Sequence, residues 1–482
     1  MKLQLIGHEE RYALEQLQLS LFSEETMELT DAPFDGDGAI SALHKGARYF
    51  TATAKIVYRG KTARASKKVR VERAGTLPLR RALQNAYFAA ASQLLPPTPW
   101  GSLTGVRPSK LTTRHLLGGG TRASAQALLT QSYFVAPERA RLCTESSEAT
   151  LRAMARLRET DISVYIGIPF CPTRCAYCSF VSRSIEKDAD LLPPYLLALE
   201  REIAHVGRLL RESGKTIRTL YIGGGTPTTL SAQQITQLMR TIAAHFDLSS
   251  LIEYTVEGGR PDTLDLEKLR AIQENGCDRM SINPQTMNDA VLQAVGRRHS
   301  AAQTVSAYRA AREAGFAGVN MDLIAGLPGD AAPSFEDSLK QVLALAPENI
   351  TVHTLALKKG AALLELRRNL PSAQAVSEML ASAQALLRGA GYAPYYLYRQ
   401  KYMSGNFENI GWCKPDFDGL YNIYMMEELH SILSLGGGAM TKINLPNGKL
   451  ERFHNPKFPQ DYIARIDDVL AQKDSAFARM KG

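Results

Sequence analysis

The sequence predicts an α/β protein centred on an open barrel of six β/α units, and three observations carry that expectation. From about residue 160, apolar strand-like runs alternate six times with amphipathic helical stretches, the pattern of a parallel sheet covered by helices. Six units fall short of the eight that close a full barrel. The motifs that bear chemistry fall at the C-terminal ends of these runs, where such folds place their active sites.

The six runs are ISVYIGI (162–168), IRTLYIG (217–223), IEYTVEG (252–258), DRMSIN (278–283), GVNMDLIAG (318–326) and NITVHTLAL (349–357). Helical stretches such as 195–210 and 231–246 separate them. Three regions are expected: an α+β accessory domain over 1–155, the barrel over 156–388, and a C-terminal region over 389–482 that packs on the open side and closes the site. The accessory domain holds an apolar helical stretch near 79–95 and another helical run near 136–159.

A chain of 482 residues with 45% apolar and 22% charged residues has room for two or three sizeable cores. No apolar run reaches the ~18 residues of a membrane span. Acidic residues stand where a signal peptide would be apolar, so the expected location is the cytoplasm. Six cysteines, three of them within eight residues, read as a metal or redox cluster in a reducing compartment and not as a disulfide framework.

The net charge of +9 is concentrated. Residues 55–81 carry ten Lys or Arg and one acid, Glu72, in a text that alternates like two strands around Arg59-Gly60. Such a hairpin fits an acidic protein, an anionic small molecule or nucleic acid, or is a solvated strand face. No nucleic-acid-binding signature accompanies it, so nucleic acid is not an expected partner.

The most specific motif is IPFCPTRCAYCSF, a C-x3-C-x2-C spacing directly after the first barrel run. Three thiolates on one short loop hold three corners of a cubane cluster and leave one iron open. A zinc site would need a fourth ligand, and the next candidate, His205, lies in a following helix. The remaining cysteines are scattered: Cys143, Cys277 beside a barrel strand as a small core residue, and Cys413 near an aromatic run, where a redox or ligand role stays open.

With Tyr177 just before the last cysteine, the loop resembles the radical S-adenosylmethionine superfamily, and its flanks resemble the oxygen-independent coproporphyrinogen III oxidase family. The segments PWGSLTGVRPSKL and YNIYMMEELHSI resemble the coproporphyrinogen dehydrogenase-like branch with an extra N-terminal domain. The resemblance implies a radical SAM type of open (β/α)6 partial TIM barrel. It implies a 4Fe–4S cluster on Cys171, Cys175 and Cys178, and one or two S-adenosylmethionine molecules. It places Tyr165, Tyr177, Gly224, Gly225, Thr226, Glu257, Gln285, Arg297, Asp322, Ala356 and Met440 around that cofactor. Arg297 suits its carboxylate, and Asp322 stands in an apolar run where an unpaired carboxylate is costly.

The implied reaction is reductive cleavage of S-adenosylmethionine followed by hydrogen abstraction from a propionate of coproporphyrinogen III. Loss of carbon dioxide and an electron then leaves a vinyl group. The partners are a tetrapyrrole and an unidentified electron donor, and the expected state is a monomer. Arg399, Lys401 and the tyrosines Tyr395, Tyr396, Tyr398 and Tyr402 suit a flat polyanion, or form a packed strand edge.

Two features depart from the oxidase pattern. Ser179 and Phe180 stand where the oxidases carry C-x-C, and CAYCSF is closer to the haem-chaperone version. A haem chaperone is therefore the alternative, with His299, His353 or His430 as axial ligand. Gly436–Gly438, followed by Ala-Met-Thr-Lys, lacks the histidine usual in chaperones, which with the N-terminal extension favours the enzyme.

Overall fold

The computed structural model describes residues 1–22, 25–96, 98–178, 182–356, 369–400, 407–445 and 447–481. The chain forms two compact units, one made chiefly of Met1–Thr144 and one running from Glu145 onward. That division falls inside the helix Pro137–Met154.

The first unit is an α+β layer. Its strands β1 (Lys2–Ile6), β2 (Glu28–Leu29), β3 (Gly38–Lys45), β4 (Tyr49–Tyr58) and β5 (Lys61–Arg70) form a sheet in the order β2-β1-β3-β4-β5. Ala52, Ala54 and Ile56 of β4 join Leu3 in a core with Leu83, Ala86 and Tyr87 of the helix Thr76–Ala91. The expected basic hairpin is β4–β5, turning at Arg59 and Gly60 with φ of 48° and 75°. Two left-handed residues match the twist of the flanking strands. Lys61, Arg64, Lys67, Lys68 and Arg70 stand exposed on the edge strand, where charge discourages pairing with another edge.

The second unit contains the six expected parallel strands: β6 (Asp161–Ile168), then, after the short paired strands β7 (Phe170–Cys171) and β8 (Arg183–Ser184), β9 (Thr216–Gly224), β10 (Glu253–Glu257), β11 (Arg279–Ser281), β12 (Gly318–Ala325) and β13 (Asn349–Thr354). They pair in chain order and all in parallel, forming an open sheet. Helices cover one side. The helices Ala232–His245 and Ala301–Glu313 start at Ser231 and Ser300, each in a reciprocal capping box with a glutamine three residues on.

Register shows how the strands are used. Ser163, Tyr165, Thr219, Tyr221, Thr255, Glu257, Arg279, Ser281, Asn320, Asp322, Asn349 and Thr351 share one face, because paired residues point the same way. The other face carries Val164, Ile166, Leu220, Ile222, Val256, Met280, Val319, Met321, Ile350 and Val352, all buried. The apolar face lies under the helices, and the polar face lines the concave side.

The residues beyond 389 extend this same sheet at both edges. Strands β14 (Ala393–Arg399) and β15 (Glu408–Cys413) continue it past β13, and β16 (Ile432–Leu435), β17 (Met440–Asn444) and β18 (Leu450–His454) continue it past β6. The same C-terminal residues also make contacts at the base of the sheet, at the strand ends opposite the cysteine loop. Glu253, first residue of β10, accepts the backbone N–H groups of Leu420 and Tyr421 at 2.6 and 3.0 Å and so caps the helix Leu420–Glu427. Arg279 and Asn349, first residues of their strands, donate to the Phe417 carbonyl at 3.3 and 2.8 Å.

A buried ion pair ties the C-terminal helix to the barrel. Lys473 in Ile466–Lys481 and Glu202 in Leu192–Ser213 lie 3.2 Å apart with side chains 1% and 0% exposed. Lys473 also donates to the Ser434 carbonyl and to Asn455, while Glu202 accepts from Tyr462, Asn455 and the Gly436 N–H. Replacing Lys473 by Met leaves Glu202 charged and buried without its cation. The expected loss is about 3–5 kcal/mol in urea unfolding of this unit. The double change with Glu202→Gln is expected to recover part of it.

Candidate active site at the strand ends

The cysteine loop leaves β6 through Pro169 and is pinned at both ends. Cys171 lies in β7, whose partner β8 runs parallel to it. Ala176 donates its N–H to the Val295 carbonyl at 3.0 Å, and Cys178 donates to Cys175 at 3.1 Å. Cys175 is buried, while Cys171 and Cys178 are half-buried. Among the described residues no group of three metal-ligating side chains converges, so the thiols share a loop without forming a closed ligand set.

The glycine run at the end of β9 presses on this loop. Gly225 and Thr226 donate backbone N–H groups to the carbonyls of Ile168 and Phe170 at 2.9 and 2.7 Å. A Cβ on Gly225 would sit 2.5 Å from the Phe170 oxygen and 2.9 Å from Cys171 Sγ, so only glycine fits there. The Thr226 hydroxyl donates to Cys171 Sγ at 3.4 Å.

Glu257 closes β10 beside the same run. It accepts from the Tyr221 hydroxyl at 2.5 Å and from the Gly224 N–H at 3.2 Å. Burial pushes its carboxyl up to about 7, and the nearby Asp322 charge adds to the rise against the pull of those two donors. Tyr221 clusters with Tyr421 and Tyr165, with centroids 4.5 and 6.1 Å away and the latter two rings 6.3 Å apart.

Across the concave face, Asp322 accepts from Asn320 at 2.7 Å and lies 3.6 Å from His353 Nε2. Burial opposes its charge, but bonds from His353, Asn320 and Thr351 outweigh that and hold the carboxyl below the usual range. Gln285 is buried with a left-handed φ of 68°, its backbone bonded to Asp322 and Ile324 at 2.8 and 2.9 Å. Such a conformation is strained for glutamine and persists because two backbone bonds to β12 hold it. Arg297 donates to Tyr177 Oη at 3.0 Å and to the Asn283 carbonyl at 2.7 Å, which places it under the cysteine loop.

Gly436–Gly438 follows β16 at the same end of the sheet as the cysteine loop, and the Gly437 carbonyl would stand 3.3 Å from a Cβ on Gly167. Met440 opens β17 just after this run and pairs with His454. Ala356 is half-buried two residues past β13 and takes part in an isolated β-bridge.

The radical SAM superfamily model matches residues 165–342. The oxygen-independent coproporphyrinogen-III oxidase-like protein HemZ of Bacillus subtilis is 39% identical over 383 residues, spanning 78% of this chain and 76% of that protein. The chain belongs to the radical S-adenosylmethionine family of oxygen-independent coproporphyrinogen III oxidase-like proteins. The family's cofactors are a 4Fe–4S cluster and S-adenosylmethionine. Haem chaperone HemW of Haemophilus influenzae is 29% identical over 305 residues, covering 63% of this chain and 76% of that one. The solved coproporphyrinogen III oxidase HemN of Escherichia coli, a radical SAM enzyme by its description, superposes with a TM-score of 0.53 at 27% identity, covering 67% of this chain and 73% of the other.

The fold bears on several readings that the sequence left open. Tyr395 and Tyr396 are 1% and 7% exposed in an apolar core with Ile423 and Tyr424, so the packed-edge alternative applies to them. Arg399 is buried in the first unit, where it donates to the Leu103 carbonyl at 2.6 Å. Lys401, Tyr402, Ser179 and Phe180 lie outside the described residues. Cys413 pairs with Asn349 at the base of the sheet, far from the cysteine loop, and burial pushes its thiol up. Cys277 is a core residue as expected, bonded to the Tyr254 and Arg279 carbonyls.

The sequence reading also missed three residues: Tyr221, Tyr421 and Arg260. Tyr221 was legible as the residue two before Gly223, on the face that ends at the glycine run. Arg260 and Asp262 flank a proline in the same loop as Glu257, an acid–base spacing that allows a fork. Tyr421 carried no local signal, since only tertiary packing brings its helix to Tyr221.

The raised carboxyl of Glu257 has a consequence for stability. The folded form keeps its proton up to about pH 7, whereas the unfolded form releases it near 4.5, so stability falls as pH rises between those values. Glu257→Gln is expected to flatten that slope in thermal melts across this window. An unchanged slope would show that another group sets it.

Proposed function

We propose that this protein oxidatively decarboxylates coproporphyrinogen III to protoporphyrinogen IX without oxygen, as a radical S-adenosylmethionine enzyme. The observation that carries the reading is the meeting of one carboxylate, Glu257, and a glycine run at Cys171 on a polar concave face. The donor set fits the cluster: three thiols on one loop, a side-chain-free cradle at Gly225, and polar hydrogens aimed at two sulfurs.

Cys171, Cys175 and Cys178 would hold three irons and leave the fourth to S-adenosylmethionine. When bound, the cluster and S-adenosylmethionine supply one-electron reductive cleavage and hydrogen abstraction from the substrate. Gly224 and Gly225 let a polar ligand approach the backbone closely, and Thr226 steadies Cys171. Glu257, oriented by Tyr221, faces a cationic ligand with a carboxylate that burial makes reluctant to ionise alone. Asp322, held by Asn320 and His353, adds a second carboxylate across the face. Arg297 keeps Tyr177 and the end of the cysteine loop in place.

The haem-chaperone reading is supported by likeness to HemW, but two of its candidate ligands are buried and the third faces a carboxylate. The His299 side chain is fully buried, and burial with the nearby Arg297 charge pushes it down to about 4. His430 is buried against Ser163 at 2.7 Å and pushed down to about 3. His353 faces Asp322. Two of these three imidazoles are buried, and only His353, with its side chain 26% exposed, is open to a ligand.

Anaerobically reconstituted protein with dithionite, S-adenosylmethionine and coproporphyrinogen III is expected to yield both 5′-deoxyadenosine and protoporphyrin on chromatography. Deoxyadenosine without protoporphyrin would reject this substrate, and neither product together with tight haem binding would favour the chaperone. Cys175→Ala is expected to lose bound iron. Affinity for the cationic S-adenosylmethionine is expected to rise with pH, at most about tenfold per unit, and level off above about 7 as Glu257 ionises. Calorimetric titration of Glu257→Gln should lack this dependence, with Tyr165, Tyr221 and Asp322 as the other titratable groups facing the carboxylate.

A further inference from the structure

Side-chain donors from outside the cysteine loop reach the sulfurs of Cys171 and Cys175. Thr226 serves Cys171, and Arg260 Nη1 serves Cys175 Sγ at 3.8 Å while also donating to Thr173 Oγ1 at 3.0 Å. The opposite edge of the Arg260 guanidinium is gripped by Asp262, Nε and Nη2 donating to its two oxygens at 2.9 and 2.7 Å. The fork fixes the plane of the group and leaves Nη1 as the atom that meets the loop. Arg260 is 2% exposed and Cys175 9%. Arg297 also faces this sulfur while donating to Tyr177 and two carbonyls, and the neutral His299 lies 3.9 Å from Asp262.

Pairing with Asp262 satisfies the charge of Arg260, but does not by itself require Nη1 to face a thiol. That orientation has an electrostatic effect. In a region screened from water, a fixed cation beside a sulfur stabilises added negative charge there far more than it would at the surface. Hydrogen bonds and local charge at the ligand sulfurs are among the factors that set the reduction potential of an iron–sulfur site.

We propose that Arg260, held by Asp262, is a positioning residue that raises the reduction potential of the cluster at Cys171, Cys175 and Cys178. The inference rests on the cysteine assignment given under the proposed function. An external one-electron reductant loses the electron that the site gains; no bond breaks and no proton moves, because the guanidinium stays charged throughout. Asp262 tunes the effect by partly screening the cation from behind.

The test is a potentiometric titration of full-length, anaerobically reconstituted protein, followed by electron paramagnetic resonance, with iron and sulfide counted in every sample. Arg260→Gln is expected to keep its iron and to be reduced about tenfold less favourably, which for one electron is about 59 mV more negative. Asp262→Asn removes the screening charge and is expected to move the midpoint in the opposite direction. Arg260→Lys should restore part of the loss. If Arg260→Gln fails to fold, the other two variants decide. A midpoint in Asp262→Asn that is unchanged or more negative, with iron intact, overturns the proposal, because a purely structural role predicts no such opposition of signs. Failure of the underlying assignment reads separately, as retention of full iron by Cys175→Ala.

Discussion

Successive side chains of a strand point to opposite faces, and the second unit depends on how strictly that parity is kept. Burying one face of a parallel sheet under helices demands apolar residues at every second position, and Val164, Ile166, Leu220, Ile222, Met321 and Leu323 meet that demand. The intervening positions are then free of the packing requirement and collect on the concave side. Here they are tyrosine, threonine, asparagine, arginine and carboxylate residues. Six strands rather than eight leave that side open, so the polar residues line a space instead of a packed barrel core.

A polar interior is costly unless its groups find partners, and the C-terminal residues supply many of them. The helix Leu420–Glu427 brings its first N–H groups to Glu253 and its Tyr421 ring to Tyr221. The Phe417 carbonyl satisfies Arg279 and Asn349. On the other flank, Lys473, Asn455 and Tyr462 surround Glu202, which in turn holds the Gly436 backbone beside β6. The same residues that extend the sheet thus stiffen its base and its β6 edge. A cleft of about 840 Å³ on the outer helices, lined by Leu196, Gln233, Gln237 and Arg270, has none of this grouping of thiols, carboxylate and tyrosines.

Much of this was legible from one dimension. The six strands fall where the apolar runs stand, and the helices 195–210 and 231–246 appear as Leu192–Ser213 and Ala232–His245. The cysteine spacing, the glycine run and Glu257 all occur within a few residues of a strand end, and strand ends of a parallel sheet gather at one rim. Local order in sequence therefore carried over into neighbourhood in space. The aromatic run near 395 left two readings open because a buried core strand and a substrate-binding strand share the same apolar and aromatic composition. Tyr395 and Tyr396 lie beneath a neighbouring helix, and composition has no means of recording that cover.

Sequence alone determined the fold class, the polarity of each strand face and the thiol loop, because each is written in spacing: period two along strands, period 3.6 along helices, and three cysteines on one turn of chain. Only the tertiary structure decided which charges those groups meet. Tyr421 reaches Tyr221 across two hundred residues of chain. Arg260 reaches Cys175 from another strand end, and His430 is spent on Ser163 at the base. Burial and partner choice depend on distance through space, and no pattern of neighbours along the chain encodes that distance.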